Sequence, residues 1–492
     1  MTAAVDTALS YLGPDEPASS PHTIRSGQVL RLLTRQLYDY PSGETVPVAD
    51  AADGPPEVSE NGRAYRVRLR RGIFWDAQGA RELVAGDFVR GFKRVALPSA
   101  RHARRYFTET IAGMREYCEA FDEKFAGQQP HAPDLAQFQF SHQVAGLSTP
   151  DAHTIVIRLA EPAPDLLNIL ATGVAAAAPR EYDYYTPDSP ELYRNNPSAG
   201  PYRVNRGLSR GAHLVLEPNP RWDPDTDPLR RRTADMIRIG PGADRYDVAW
   251  PAPLGYAVGP YLVVNLHEAR RGSPVGQPAV RRALACAANR LAVRDAVIAT
   301  NQIAVAVVQH GLLPPGSPGY GSALPLADDR GDPDRARREL AGAGFPDGIS
   351  LVLAVGDAEI EQRAAAVLRD GLVQAGIALE IRPRAGDLDW DLTLDSHAPD
   401  WYGNNLRTAV EPIVRGGTAP GSANRSGYDN CVIHRVMSTA LRDPDPDRSA
   451  DLWRKVEELV LADLPIIPLL AHGTGADTAG MGAPPQIRWF TE

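Results

Sequence analysis

The segment from Ile349 to Asp395 decides the fold class and reads ISLVLAVGDAEIEQRAAAVLRDGLVQAGIALEIRPRAGDLDWDLTLD. Its first six residues, 349–354, form an apolar run that predicts a strand. A helix is expected over 359–375 and ends before Gly376, and a second strand is expected over 377–381. This βαβ order, continued by a strand over 389–395, predicts a parallel sheet with helices packed on it.

The last of these strands leads into the candidate ligand-binding residues. The sequence from Asp389 to Leu406 is DWDLTLDSHAPDWYGNNL. Trp390, Leu392 and Leu394 alternate with polar residues, which is typical of a strand buried on one face. The strand is expected to stop at Ala398-Pro399, because proline cannot donate a hydrogen bond to a neighbouring strand.

A turn with a carboxylate and two large aromatic side chains follows the proline. Asp400, Trp401 and Tyr402 in this arrangement suit a ligand that carries a positive charge and an apolar body. On the residues alone a second interpretation stays open. Trp401 and Tyr402 would then be core residues, and Asp400 would be a solvated turn or a helix-capping acid.

His397 adds a titratable group to the same turn. Together with Asp395 and Asp400 it could bind a metal ion or act in proton transfer. Isolated histidines and aspartates on a loop are more often plain surface groups, so both interpretations stay open here.

The composition limits the class of protein. A chain of 492 residues is too long for one hydrophobic core and predicts two or three domains. A formal net charge of -9 argues against a nucleic-acid partner, because phosphate binding needs a clustered positive surface. Cys118, Cys286 and Cys431 are widely spaced, which excludes a CxxC motif and predicts free, mostly buried thiols.

The N-terminal sequence MTAAVDTALSYLGPDEP bears on localisation. It has no basic segment followed by a long apolar segment and no lipidated-cysteine motif, and no transmembrane span is predicted in the chain. A cytoplasmic protein is therefore expected from the chain as written. An extracytoplasmic, membrane-associated protein is expected if the chain is a trimmed mature form.

Apolar spacing predicts the remaining elements. Helices are expected over residues 28–40, 104–125, 279–298, 333–343 and 446–461. Strands at 203–204 and 213–217 are expected to form a hairpin. The aspartate runs at 223–227 and 443–447 lack the central glycine and terminal glutamate of a calcium loop, so turn or helix-capping roles are expected there.

Six short motifs, in order, resemble those of the extracytoplasmic solute-binding proteins of ABC importers. The family is bacterial family 5, which includes oligopeptide-, dipeptide- and nickel-binding proteins. The matching segments are AYRVRLRRGIFW with AGDFVRGFKR within 64–94, SAGPY at 198–202, LEPNPRW at 216–222, VVN with PAVRRALACAANR within 263–290, DPDRARRELAGAGFP at 332–346 and DLPIIPL at 463–469. Each motif is weak alone, but six in the right order span nearly the whole chain.

The resemblance implies an α/β fold of the two-lobed, periplasmic-binding-protein-like class II, with mixed sheets, an interlobe cleft and an extra subdomain. Lobe I is then expected to contain residues 1–40, 146–260 and 471–492, with the subdomain at 41–145. Lobe II is expected at 261–470.

The resemblance also implies roles for the turn residues. In peptide-binding members a tryptophan and a following aspartate-aromatic pair line the cleft, and the aspartate holds the amino terminus of the peptide. Asp400 and Trp401 match that pair, whereas His397 stands in place of the tryptophan. The expected ligand-binding residues are Asp400, Trp401, Tyr402 and His397, with no catalytic residue, metal or cofactor.

Two functions of different class follow from the resemblance. The first is a monomeric binding protein that holds a small peptide or amine-bearing molecule and, if exported, presents it to an ABC permease. The second is a leaderless relative that acts inside the cell, as an enzyme or carrier in a biosynthetic pathway. The absence of a leader, a shortened lobe and the changed cleft wall at His397 together suggest the second function. A closed, water-poor cleft with His397 and Asp400 would suit proton transfer.

Overall fold

The structure is a computed structural model that describes residues 2–5, 31–41, 46–77, 79–209, 214–232, 235–239, 256–267, 272–300, 306–315, 320, 328–385, 389–397, 406–415 and 423–473. Contacts divide these residues into two compact units. The first unit contains the described residues up to Ile239, and the second contains those from Tyr256 to Gly473. The lobe and subdomain boundaries expected from the sequence stay a prediction.

Both units contain strands and helices. The strands are Thr2–Val5, Tyr38–Asp39, Val48–Ala49, Glu57–Ser59, Ala64–Arg68, Leu147–Asp151, Thr154–Arg158, Tyr202–Val204, Leu214–Pro218, Met236–Ile239, Tyr256–Val264, Ala306–Val308, Ile349–Val355, Ile377–Pro383, Leu392–His397, Ile466–Pro468 and Leu470–Gly473. The α-helices are Ala85–Lys93, Arg101–Thr110, Met114–Phe125, Ala132–Ser141, Leu166–Leu170, Pro190–Arg194, Pro278–Ala287, Arg290–Ile298, Pro333–Gly342, Glu359–Leu372, Glu411–Val414, Cys431–Arg442 and Pro446–Asp463.

The first unit contains two four-stranded sheets and one two-stranded sheet. In one four-stranded sheet the order is Thr2–Val5, Met236–Ile239, Leu214–Pro218 and Tyr202–Val204, with only the first pair parallel. The hairpin predicted from residues 203–204 and 213–217 is confirmed by the last pair. The other sheet is antiparallel throughout, in the order Glu57–Ser59, Ala64–Arg68, Thr154–Arg158 and Leu147–Asp151.

The single helix predicted over 104–125 is wrong, because the chain forms two helices there. Arg101–Thr110 and Met114–Phe125 are separated by a turn at Gly113, which has φ of 77°. A Cβ atom at Gly113 would lie 2.7 Å from the amide nitrogen of Ala145. Close packing against that backbone, together with a left-handed conformation that glycine tolerates, therefore breaks the helix.

The helix predicted over 28–40 is also wrong in its second half. Residues 28–30 lie outside the described part of the chain, residues 31–33 are helical, and Tyr38–Asp39 is a strand paired with Val48–Ala49. A buried group of charges draws this segment out of helical geometry: Arg35 donates from Nε to Asp50 Oδ1 at 2.7 Å, and the backbone nitrogen of Gln36 donates to Asp50 Oδ2 at 3.0 Å. A charged side chain removed from water needs ion-pair or hydrogen-bond partners. This requirement outweighs the helical spacing of the apolar residues in the segment.

The second unit is built around one seven-stranded mixed sheet. Leu392–His397 and Ile377–Pro383 flank Ile349–Val355 and run parallel to it. Tyr256–Val264 pairs antiparallel with Leu392–His397, and also with Ile466–Pro468 and Leu470–Gly473. Ala306–Val308 completes the far edge beside Leu470–Gly473. The predicted parallel βαβ arrangement is thus confirmed for three strands, whereas the rest of the sheet is antiparallel.

The first half of strand 392–397 is buried on both faces, which differs from the one-sided burial predicted for it, whereas Ser396 near the strand end is exposed. Leu392 and Leu394 are fully buried, and so are the alternating polar residues Asp391 and Thr393. Asp391 accepts hydrogen bonds from the backbone nitrogen of Val352 at 2.8 Å and from the Ser273 hydroxyl at 2.6 Å. Polar residues can occupy the second face because the surrounding elements satisfy their hydrogen bonds.

The helix predicted over 279–298 is interrupted at Ala288 and Asn289. Asn289 caps the second helix, with Oδ1 accepting from the backbone nitrogen of Ala292 at 2.9 Å. The capping roles predicted for the aspartate runs are confirmed: Asp223 accepts from the Asp225 backbone nitrogen, and Asp445 accepts from that of Asp447, both at 3.0 Å. A side chain that accepts at a helix start satisfies an otherwise unpaired backbone donor.

The three cysteines are free, as predicted. Cys118 and Cys286 are buried, and Cys431 is exposed at the start of helix Cys431–Arg442. Exposure of Cys431 corrects the expectation for that position, because the residue lies outside the inner face of its helix.

Candidate functional site

The end of strand 392–397 is the described part of the predicted ligand-binding segment. His397 pairs with Val258, and Asp395 pairs with Tyr261, on the antiparallel neighbour strand. Of the four predicted ligand-binding residues, only His397 is described; Asp400, Trp401 and Tyr402 lie outside the described residues. The strand runs to His397, directly before the stop predicted at Ala398-Pro399.

His397 is held in a defined orientation. Its Nε2 atom lies 2.5 Å from the carbonyl oxygen of Thr408, and the side chain is half-buried. Because a carbonyl oxygen only accepts, Nε2 carries the proton in this contact. The imidazole of His397 is therefore a donor to the backbone at this position.

Asp395 is considered with His397 and Asp400 as a possible metal-binding or proton-transfer residue. Its carboxylate is already ion-paired. Its Oδ2 atom accepts from Arg425 Nε at 2.5 Å, and its Oδ1 atom accepts from the Ser396 backbone nitrogen at 2.9 Å. Burial, followed by the charge of Asp395, raises the pKa of the neighbouring Tyr261 hydroxyl. Asp395 therefore serves to place Arg425 beside the strand end.

No group of three or more His, Cys, Asp or Glu residues suited to a metal ion occurs in the part of the chain that is described. The hypothesis of metal binding or proton transfer by His397, Asp395 and Asp400 depends on Asp400, which lies outside that part, and stays untested.

A bulge in the neighbouring strand shapes the backbone next to His397. The register shifts between Val258 and Tyr261, opposite Ser396. Gly259 has φ of 134°, and a Cβ atom there would lie 2.4 Å from the Ser396 hydroxyl oxygen and 2.6 Å from Ser396 Cα. Only glycine fits this approach, and bulges of this kind commonly redirect side chains beside functional sites.

His472, on strand Leu470–Gly473, forms a hydrogen bond to the bulge. Its Nδ1 atom lies 2.9 Å from the carbonyl oxygen of Gly259, so Nδ1 carries the proton and donates. The ring is 6% exposed, and burial lowers its pKa despite the hydrogen bond to Gly259. The neutral ring therefore stabilises the bulge.

Arg384 ties the parallel strands together at the same edge of the sheet. Nε donates to the Thr393 hydroxyl at 3.1 Å, and Nη2 contacts both the Glu361 carboxylate and the Leu394 carbonyl. Thr393 in turn donates to the carbonyl of Ala354 at 2.8 Å. The carboxyl ends of parallel strands are a common place for ligand sites in α/β sheets, and here they are rigidly connected.

Sequence reasoning missed Gly259, Arg384, Arg425 and His472. They come from four separate segments, and no local motif marks them as neighbours. The only available signal is the position of Gly259 before Pro260 inside an apolar strand, since an isolated glycine in a strand often marks a bulge.

Comparison with known proteins places the chain in a family. Residues 46–248 and 253–410 match the sequence profile described as bacterial extracellular solute-binding proteins, family 5. The chain belongs to this family. No helix within the described ranges is both long and apolar enough to cross a membrane.

Individual family 5 relatives are distant in sequence. The probable ABC transporter periplasmic-binding protein SapA of Escherichia coli is 22% identical, with 92% of this chain and 84% of SapA aligned. The dipeptide-binding protein of Pseudomonas aeruginosa is also 22% identical, with 90% of this chain and 84% of that protein aligned.

A solved structure named clavulanic acid biosynthesis oligopeptide binding protein 2 has a TM-score of 0.77 and 24% identity, covering 96% of this chain and 91% of that one. This likeness confirms the predicted α/β, periplasmic-binding-protein-like fold.

Proposed function

We propose that this family 5 protein is a monomeric binding protein for a small peptide or another amine-bearing solute, which it delivers to an ABC permease. In this proposal Asp400 pairs with the cationic group of the ligand. Trp401, Tyr402 and His397 line the same wall. The same proposal includes the domain division expected from the sequence. Lobe I contains residues 1–40, 146–260 and 471–492, the extra subdomain contains 41–145, and lobe II contains 261–470.

The observation that carries the proposal is the position of His397. It ends a central strand of the seven-stranded sheet, three residues before Asp400, and its ring is anchored on Thr408. The segment 398–402, in which Asp400 and Trp401 are proposed to correspond to the peptide-binding aspartate-aromatic pair, thus follows an anchored residue. A site supported by rigid elements holds a ligand with little loss of conformational entropy.

The relatives support the class of ligand. One is named a dipeptide-binding protein, and one solved structure is named an oligopeptide binding protein. Both names point to peptides, which carry a cationic amino terminus at neutral pH. A carboxylate that is partly removed from water is a suitable partner for that group.

Two measurements test the proposal. Native mass spectrometry of the gently purified protein should reveal a bound peptide or amine. Calorimetric titration should then compare that ligand, or a dipeptide library, with the same peptides acetylated at the amino terminus. Acetylation removes the charge and should abolish binding. Equal affinity for free and acetylated peptides would rule out recognition of the amine.

A further inference from the structure

A small cavity in the first unit lies between helices Ala85–Lys93 and Ala132–Ser141. Its volume is about 250 Å³, and Asp183 of the segment 180–184 also lines it. At about 30 Å³ per water molecule, this volume has room for a small organic molecule. None of its lining residues belongs to the segment 397–402, so the cavity is independent of the function proposed above.

Lys93 is the unusual side chain in this cavity. It is only 5% exposed and comes from a chain with three lysines, whose other members, Lys124 and Lys455, are exposed. Its Nζ atom donates to the Gln139 carbonyl at 2.7 Å and lies 3.3 Å from Gln143 Oε1. An ammonium group has three donors, so one remains after these two hydrogen bonds, and the Tyr117 ring centroid lies 5.7 Å from Nζ.

Lys93 has no carboxylate partner among the described ion pairs. Asp183, the acid that lines the same cavity, is bound by both carboxylate oxygens to Arg90 Nη1 at 2.8 Å. Arg90 and Asp183 therefore balance each other, and the Lys93 ammonium leaves the cavity with one positive charge. Burial, and then the charge of Arg90, lower the pKa of Lys93 to about 8, so the amine still carries its proton at neutral pH.

Gln139 supplies a second donor. It is 4% exposed, and its Oε1 atom faces Arg90 Nη1 at 3.4 Å. Arginine can only donate, so the amide must present its oxygen to Arg90. Nε2 of Gln139 is then a buried donor, and no acceptor for it occurs among the described residues. A buried donor without an acceptor is unfavourable, and a bound acceptor would satisfy it.

The apolar wall of the cavity completes the pattern. Val89 and Ala136 line it, and Phe140 stands at its rim with 81% of its side chain exposed. A large aromatic side chain exposed to this extent favours contact with an apolar group. A ligand of the cavity therefore combines one negative charge with an apolar body.

We propose that this cavity binds a small organic monocarboxylate, whose oxygens accept from Lys93 Nζ and Gln139 Nε2 and whose apolar body contacts Phe140. A monoanion matches the single excess positive charge. A phosphate dianion would bring a second charge with no cation for it, because Arg90 is already neutralised by Asp183.

A purely structural role for Lys93 is the competing explanation. Gln139 lies in the last turn of its helix, where carbonyls lack intrahelical donors and a lysine is a common capping residue. That role uses the contact with the Gln139 carbonyl and accounts for neither the unpaired Gln139 Nε2 nor the exposed Phe140. It also predicts no response of Lys93 to added carboxylates.

The experiment uses the full chain with ¹³C-labelled lysine, which gives three Cε signals by NMR. Lys124→Arg and Lys455→Arg assign them. Benzoate should shift the Lys93 signal selectively and saturably, and should raise the pKa of Lys93 from about 8 by about one unit, because a nearby anion favours the charged amine. The experiment leaves the other groups around Lys93 unaltered. These are Arg90 and Asp183, which line the same cavity, and the Tyr117 ring, whose centroid lies 5.7 Å from Nζ.

Variants separate binding from folding. Lys93→Met should abolish benzoate binding, measured by ligand-observed NMR, whereas the exposed control Lys124→Met should bind normally. Phe140→Ala, which alters an exposed side chain, should weaken benzoate at least tenfold and acetate much less. No shift of Lys93 in the wild-type chain, or an equal response to inorganic phosphate, would overturn the proposal even if Lys93→Met does not fold.

Discussion

Arg230 and Asp50 lie 180 residues apart and are joined by two parallel hydrogen bonds of 2.8 Å, from Nη1 to Oδ1 and from Nη2 to Oδ2. Arg35 Nε also donates to Asp50 Oδ1, at 2.7 Å. Asp39 and Asp227 lie within 3.2 Å of Arg230 as further acids. This buried group joins the segment 31–50 to the turn that follows Asp223.

Replacing Asp50 by Asn should destabilise the protein by about 3 to 5 kcal/mol, because it removes the charge of the carboxylate that the two buried arginines share, which Asp39 and Asp227 replace only in part. Urea unfolding followed by circular dichroism measures this change. Asp53→Asn is the control, since its ion pair with Arg70 spans 3.7 Å and its side chain is 62% exposed. A loss for Asp50→Asn as small as that of the control would contradict the proposed role of the buried group.

Protonation of His472 should destabilise the second unit at acid pH. Burial lowers the folded-state pKa of this ring, so the folded protein binds its proton less readily than the unfolded chain does. Stability attributable to His472 is therefore complete above its ordinary pKa of about 6.5 and falls as the pH drops below that value. His472→Asn keeps a donor for the Gly259 carbonyl and should flatten this dependence in melts from pH 7.5 to 5. Identical pH profiles would refute the assignment.

Gly259→Ala should distort the strand end beside His397. The added Cβ would meet Ser396 at 2.4 Å, and a φ of 134° strains any other residue. We expect a loss of about 1 to 3 kcal/mol together with weaker ligand binding. Gly276→Ala is a suitable control, because a Cβ atom at Gly276 would have no neighbouring atom within 4 Å. Thermal melts and ligand titration of both variants make the comparison.

Asp400→Asn should weaken binding of a peptide or amine by about 2 to 5 kcal/mol, because the cationic group of the ligand would lose its charged partner. Folding should be unaffected, since the proposed role of Asp400 is in binding. Calorimetric titration and melting temperatures measure both effects, and Asp389→Asn, at a 66% exposed side chain, serves as control. Unchanged affinity would remove Asp400 from the proposed site.

Local chemistry made several elements predictable from the sequence. Asp332 begins the helix at Pro333, and its Oδ1 atom accepts from the Arg335 backbone nitrogen at 2.8 Å. Gly376, with φ of 80°, ends the helical segment before strand Ile377–Pro383. Caps and glycine turns depend on neighbours in the chain, so their residues are visible in the sequence.

The candidate site was only partly predictable, because its supporting residues come from distant segments. The strand before His397 was evident from its apolar spacing. The pairing of Arg425 with Asp395 and that of His472 with Gly259 were not evident, since the partners lie 30 and 213 residues apart in the chain. Spacing along the chain carries no information about such contacts.

The sequence by itself determined the family, the order of the elements and the βαβ segment from Ile349, because motif order, capping residues and apolar periodicity are local properties. Only the tertiary structure decided that Tyr38–Asp39 is a strand, that Gly259 forms a bulge against Ser396 and that Lys93 faces Gln139 in a cavity. Each of these depends on burying polar or charged groups beside partners far along the chain, and such pairing outweighs local preference once water is excluded.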